Sequence, residues 1–162
     1  MADDFRRVYL DACVYLALIK GEAGRLEIAR GLLRDGQDKR FAVVASTLLY
    51  AEVCGHGEVR AAPDAADVDR QVSAFFEHGF IQWVEVDLSI AREARRLSRE
   101  HRLRGADAIH LASAIRADCD VLMTWNSNDF PWGRAIDGVE LREPFLFGQR
   151  TIEDEMGTPS GS

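Results

Sequence analysis

The sequence predicts an α/β protein, with a mostly parallel sheet covered on both faces by helices. Two observations carry that prediction. Short apolar runs of strand length alternate along the chain with stretches of helical periodicity, the pattern of strand–helix–strand units. One of the runs, 41–45 (FAVVA), is apolar throughout, as a strand buried on both faces is. With 162 residues, 47% of them hydrophobic and 29% charged, the chain can bury a sizeable core as one domain.

Each element follows from a local signal. Arg7–Leu10 (RVYL) reads as the first strand and ends at Asp11, after which 12–19 reads as helix. The second helix is placed at 23–34, with Leu26, Ile28, Leu32 and Leu33 as its apolar stripe and Asp35-Gly36 as its stop. Strand 41–45 follows, then a helix that Ser46 caps and that Gly55 and Gly57 break. Pro63 and Asp64 open another helix, ending near His78-Gly79. Residues 81–86 (IQWVEV) have strand character, and Asp87 or Ser89 caps a helix running to about Leu103. Gly105 separates it from a helix over 107–116. Strand 120–125, the polar turn 126–129 and a last strand at Val139–Arg142 complete the domain, placed at 1–150. The tail 151–162 (TIEDEMGTPSGS in full from Thr151) is acidic, then rich in Gly, Ser and Pro, and is expected to be disordered.

Charge and cysteine usage narrow the function. Twenty basic against 27 acidic residues give a net charge of −7, which excludes polyanion binding through a broad basic face and disfavours a membrane surface. No apolar run has the length of a membrane span, and the acidic N-terminus lacks the features of a secretory signal, so a cytoplasmic protein is expected. One basic stretch stands out: Arg92, Arg95, Arg96, Arg99, Arg102 and Arg104 against Glu93 and Glu100. It is either a solvated helix face or a contact surface for an anionic partner. Cys13, Cys54 and Cys119 are widely spaced, form no C-x-x-C pair, and read as buried free thiols.

In parallel sheets the ligand site lies beyond the carboxyl ends of the strands. Asp11 directly follows the first strand. Glu52 shares a helical face with Leu48, Leu49 and Val53, where an unpaired carboxylate is costly. Asp107 lies in the opening turn of its helix, and Asp129 lies with Asn126 and Asn128 in the loop after the fourth strand. Taken singly, each has a structural explanation as a cap, an ion pair or a turn residue. Together, four carboxylates from separate segments need a cation among them, and oxygen ligands favour a hard ion such as Mg²⁺ or Mn²⁺. Such an ion suits phosphodiester hydrolysis.

Four segments, Tyr9–Ala12 (YLDA), 45–53 (ASTLLYAEV), 105–114 (GADAIHLASA) and 122–130 (LMTWNSNDF), resemble in order and spacing the motifs of PIN-domain ribonucleases, most closely the VapC-like toxins of type II toxin–antitoxin systems. The resemblance implies a three-layer α/β/α fold and a metal-dependent endoribonuclease. Its Mg²⁺ or Mn²⁺ would be held by Asp11, Glu52, Asp107 and a group of the 124–130 loop, either Asp129 or Asn126. It further implies a homodimer, and an antitoxin protein whose segment lies in the active-site groove. Thr124 matches a motif hydroxyl and Ser46 a helix-start hydroxyl, both placed at the substrate site to orient carboxylates or water, with capping the simpler role for Ser46, and Arg99, Arg102 and Arg104 become contacts for RNA or antitoxin. His110 is read as a packed, hydrogen-bonded histidine, and Trp125, Phe130 and Trp132 as packing aromatics. The alternative function is a catalytically silent module that binds RNA or protein. A phosphatase motif would want an acid where Cys13 stands, and a receiver domain would want a late-strand lysine, where the only lysines are Lys20 and Lys39.

Overall fold

A computed structural model describes residues 4–147; the expected tail, 151–162, lies outside the described residues. Six strands form one sheet in the order β3-β2-β1-β4-β6-β5. They are β1 (Arg7–Leu10), β2 (Ala42–Ser46), β3 (Ile81–Val84), β4 (Val121–Met123), β5 (Ala135–Ile136) and β6 (Val139–Arg142). All pairings are parallel except β5 with β6. The helices are α1 (Ala12–Lys20), α2 (Leu26–Gln37), α3 (Leu48–Cys54), α4 (Gly57–Ala61), α5 (Ala65–Glu77), α6 (Leu88–His101) and α7 (Gly105–Arg116).

Strand periodicity sorts the core into two layers. Val8, Leu10, Val43, Ala45, Val121 and Met123 face one way, against α1, α2, α3 and α5. Their neighbours Tyr9, Val44 and Leu122 face the other way, against α6 and α7. The sheet is therefore covered on both sides, as expected. Among the described residues no helix is long and apolar enough to cross a membrane.

Several boundaries differ from the sequence reading, each for a physical reason. Asp35-Gly36 does not stop α2; both are buried within it. Gly36 is there because the helix lies tight against β2: a Cβ on it would come within 2.3 Å of Val43 Cγ2. Helix α2 starts at Leu26, not Ala23, and the short α4 follows the Gly55 break. Of the two caps considered for α6, Asp87 serves, accepting a bond from the Ile90 N–H at 2.8 Å. Gly105 begins α7 and does not precede it. Strand β5 was not anticipated; Asp137 and Gly138, with φ of 47° and 87°, make the tight hairpin that pairs it with β6.

The order of strands reverses at β1, whose chain neighbour β2 lies on one side and β4 on the other. That switch point opens a crevice beyond the carboxyl ends of β1 and β4. Asp11 follows β1, and the loop carrying Asn126 and Asp129 follows β4.

Candidate active site

Asp11 is fixed from three sides. It caps α1 in extended conformation, and its Oδ1 accepts from the Ala12 N–H at 2.8 Å. The Thr124 hydroxyl donates to Oδ2 at 2.8 Å, and the Asp11 N–H bonds the Met123 carbonyl at 3.1 Å. The side chain is thereby buried yet held facing the crevice. Thr124 in turn accepts from the Asn126 N–H at 3.0 Å, and its carbonyl accepts from the Trp132 indole at 2.9 Å. These bonds set the course of the chain leaving β4.

Glu52 reaches the same place from α3. One ligand atom each of Asp11, Glu52 and His110 lie within 4.8 Å of one another. His110 Nε2 is 2.5 Å from Glu52 Oε2 and 3.6 Å from Asp11 Oδ1. Asp107, one turn before His110 on α7, joins them electrostatically. Burial pushes its carboxyl up to about 6, and the charges of Asp11, Asp129 and Glu52 add to the shift while His110 opposes it. Burial alone would lower the His110 pKa, but the bond to Glu52 and the charges of Asp11, Glu52 and Asp107 carry it upward. Asp129 is oriented by the Asn126 side chain, whose Nδ2 donates to Oδ2 at 2.8 Å.

The structure thus brings Asp11 and Glu52 together with His110, leaves Asp107 within electrostatic reach of Asp11, Glu52 and Asp129, and shows Asn126 bound to Asp129 through its amide group. This donor set fits a divalent cation. Its largely buried group offers two carboxylates beside one imidazole, and neighbouring carboxylate charges add to the effect of burial on Asp107.

Of the roles expected for Ser46 and Thr124, the structure carries the capping and orienting ones, and burial removes both from a substrate contact. Ser46 and Thr124 are both 0% exposed and reach no substrate. The Ser46 hydroxyl accepts from the Leu48 N–H at 3.1 Å at the entry to α3, while that of Thr124 orients Asp11. The arginines divide. Arg104, exposed at the start of α7, has its Nε 3.8 Å from Asp129 Oδ1 and stands at the rim. Arg99 lines a groove of about 520 Å³ along α6 with Arg92, Arg95, Arg96 and Glu100, while Arg102 ends that helix in a left-handed conformation. Arg96 is engaged by Glu93, Glu100 and Asp137.

Sequence reasoning missed two members of the site. Tyr9 reads as an ordinary strand residue, yet its hydroxyl bonds His110 Nδ1 at 2.5 Å. Cys13, half-buried like Cys54 and unlike the buried Cys119, lies 3.6 Å from both Asp11 Oδ2 and Thr124 Oγ1. Burial and the Asp11 charge push its thiol up to about 12, so it stays protonated. Phe130 is fully buried core, whereas Trp132 is partly exposed and Trp125 lies under the Arg25 guanidinium.

A reversed parallel sheet with carboxylates gathered at its switch point is the arrangement of a PIN domain. The PIN domain family model matches residues 8–131, and the chain belongs to that family. Within it, the chain is similar to ribonuclease VapC45 of Mycobacterium tuberculosis (strain CDC 1551 / Oshkosh), 33% identical over 114 residues that cover 67% of this chain and 74% of the relative. Two solved structures share the fold. One is a toxin–antitoxin complex from Klebsiella pneumoniae, with a TM-score of 0.61 and 20% identity over 82% of this chain and 94% of that one. The other is VapBC2 from Rickettsia felis bound to a DNA fragment from its promoter, with a TM-score of 0.62 and 13% identity over 85% of this chain and 98% of that one.

Proposed function

We propose that the protein is a metal-dependent endoribonuclease that hydrolyses RNA phosphodiesters and acts as the toxin of a toxin–antitoxin pair. The observation that supports this reading is the cluster of Asp11, Glu52 and His110 at the sheet's switch point, with Asp107 in electrostatic reach of Asp11, Asp129 and Glu52, in a PIN chain with a ribonuclease relative. Asp11, Glu52, Asp107 and Asp129 would hold Mg²⁺ or Mn²⁺, ions that oxygen donors favour. Such a cation, when bound, lowers the pKa of water and stabilises charge on phosphate oxygens.

The protein's own groups prepare the site. Thr124 and the α1 backbone lock the Asp11 carboxylate, so it need not reorganise on binding. Asn126 does the same for Asp129. Arg104, exposed at the rim, draws the RNA backbone toward the crevice despite the chain's net negative charge, and Arg99 and Arg102 extend that contact. An antitoxin protein as the inhibitory partner is supported by the toxin–antitoxin complexes that share this fold. A cytoplasmic homodimer completes the reading.

Asp107→Asn tests it. The variant removes a charge without disturbing any α7 packing, so it should fold, yet lose Mn²⁺-dependent cleavage of single-stranded RNA and no longer arrest growth on expression. Full activity in that variant overturns the proposal, as does a wild-type protein inert on RNA with both Mg²⁺ and Mn²⁺.

A further inference from the structure

Glu52 differs from Asp11 and Asp129 in how it is held. It has a longer side chain, and it stands on α3, a helix of seven residues. Among the described residues no threonine or asparagine side chain orients it. What meets its Oε2 is His110 Nε2 at 2.5 Å, and His110 does not act alone. The Ser46 N–H donates to the Tyr9 hydroxyl at 3.0 Å, and that hydroxyl lies 2.5 Å from His110 Nδ1. Tyr9 is 0% and His110 1% exposed, so water does not compete for these bonds.

The protons can be assigned by following the chain. The Glu52 carboxylate only accepts, so Nε2 carries the hydrogen between them; in the neutral ring Nδ1 is then the acceptor and takes the Tyr9 proton, while Tyr9 Oη accepts from the Ser46 N–H. In the imidazolium both nitrogens carry protons, and Nε2 again donates to Glu52. In either state Nε2 has no lone pair to offer an ion, although it lies 3.6 Å from Asp11 Oδ1.

We infer that Tyr9 and His110 are positioning residues for Glu52, a buried relay that anchors this carboxylate to the backbone at the end of β2. The inference rests on the reading of Glu52 as a ligand of the nuclease cation. The relay joins β1, β2, α3 and α7 through three bonds, and it converts a flexible glutamate into a preset donor. It also gives the packed histidine on α7 a purpose that its neighbours in sequence do not reveal.

Mn²⁺ titrated calorimetrically into the metal-free protein tests the relay independently of cleavage. Tyr9→Phe and His110→Met, which interrupt the chain with little change in volume, should weaken Mn²⁺ binding about ten- to a hundredfold, the usual effect of losing a group that orients a ligand. His110→Gln, whose amide can still donate to Glu52, should recover most of that loss. RNA cleavage by the interrupted variants should need more Mn²⁺ and return toward the wild-type kcat when it is saturating. Pulsed EPR of the Mn²⁺-loaded wild type should show no directly bound imidazole nitrogen. Unchanged Mn²⁺ affinity in Tyr9→Phe and His110→Met overturns the inference, and so does a nitrogen coupling that makes His110 a ligand. Should His110→Met fail to fold by circular dichroism, Tyr9→Phe, which deletes a single oxygen, decides alone. A wild type that binds Mn²⁺ in a relay-dependent way but cleaves no RNA sinks the nuclease reading and leaves the relay standing. Cleavage with relay-independent Mn²⁺ binding does the reverse, and a wild type that binds no Mn²⁺ overturns both.

Discussion

The two faces of the sheet are packed by different means. On one, rings do the filling: Tyr15 and Trp83 meet Phe76 edge-on, and Phe41 stacks on Phe147. On the other, α7 presents Ala108, Ala112 and Ala114, all fully buried, and Ala94 of α6 lies close by. Large rings leave a face that adjusts when one is altered. Alanines let a helix approach closely and leave it no slack. Asp107 and His110 both ride on the alanine-packed helix, whereas the ring-packed side supplies stability at a distance from them. Small residues therefore set the α7 members of the site, whereas Asp11 and Glu52 stand on helices of the ring-packed side.

The sharpest test separates those contributions. Phe76→Ala should cost about 3–5 kcal/mol of folding free energy by urea denaturation, while Mn²⁺ affinity of the folded protein, which Phe76 reaches only through Tyr50 of α3, falls less than in the next variant. Ala112→Leu should cost less, about 1–3 kcal/mol, yet weaken Mn²⁺ binding, because an extra side chain must push α7, with Asp107 and His110, outward. If Phe76→Ala damages the site more than Ala112→Leu does, the division between the faces is wrong.

A smaller effect reports on the acids themselves. Asp107 has a folded-state value of about 6 against an ordinary 3.8, so the folded protein holds this proton more tightly than the unfolded chain. That contribution is complete below the unfolded value and is lost as pH rises through about 6. In EDTA, stability should accordingly fall between pH 4 and 7, by about 1 kcal/mol after solvent screening of this half-exposed group. Asp107→Asn should flatten the fall, and Mg²⁺ should raise the Tm more at pH 7 than at pH 5. Least disruptive is Arg104→Ala: stability should stay within about 0.5 kcal/mol, while KM for RNA rises at low salt and converges with wild type at high salt.

Much of this was legible in the chain. Alternation of strands and helices, together with the rule that ligands gather beyond strand ends, led to Asp11, Glu52, Asp107 and Asp129 from their positions alone. Features that depend on distant contacts were hidden. Gly36 looked like a helix stop, because only the tertiary approach of Val43 explains a glycine there. His110 and Glu52 are 58 residues apart, and nothing in either local pattern announces their bond. For Ser46 and Thr124 the capping and orienting roles were legible, but not their full burial, since burial is a property of the assembled sheet. For β5 a usable signal existed in Asp137-Gly138, a dipeptide suited to tight hairpins.

Asp11 has one further implication, for how damaged copies of this gene product behave. Its carboxylate starts a helix and, in the proposed function, is an ion contact at the same time. An amide at that position would set its NH₂ against donors that now converge on oxygen, so the loss would spread from chemistry into architecture. Inactivating changes at 11 should often yield misfolded, short-lived chains, whereas those at 107 should accumulate as intact decoys still able to engage a partner.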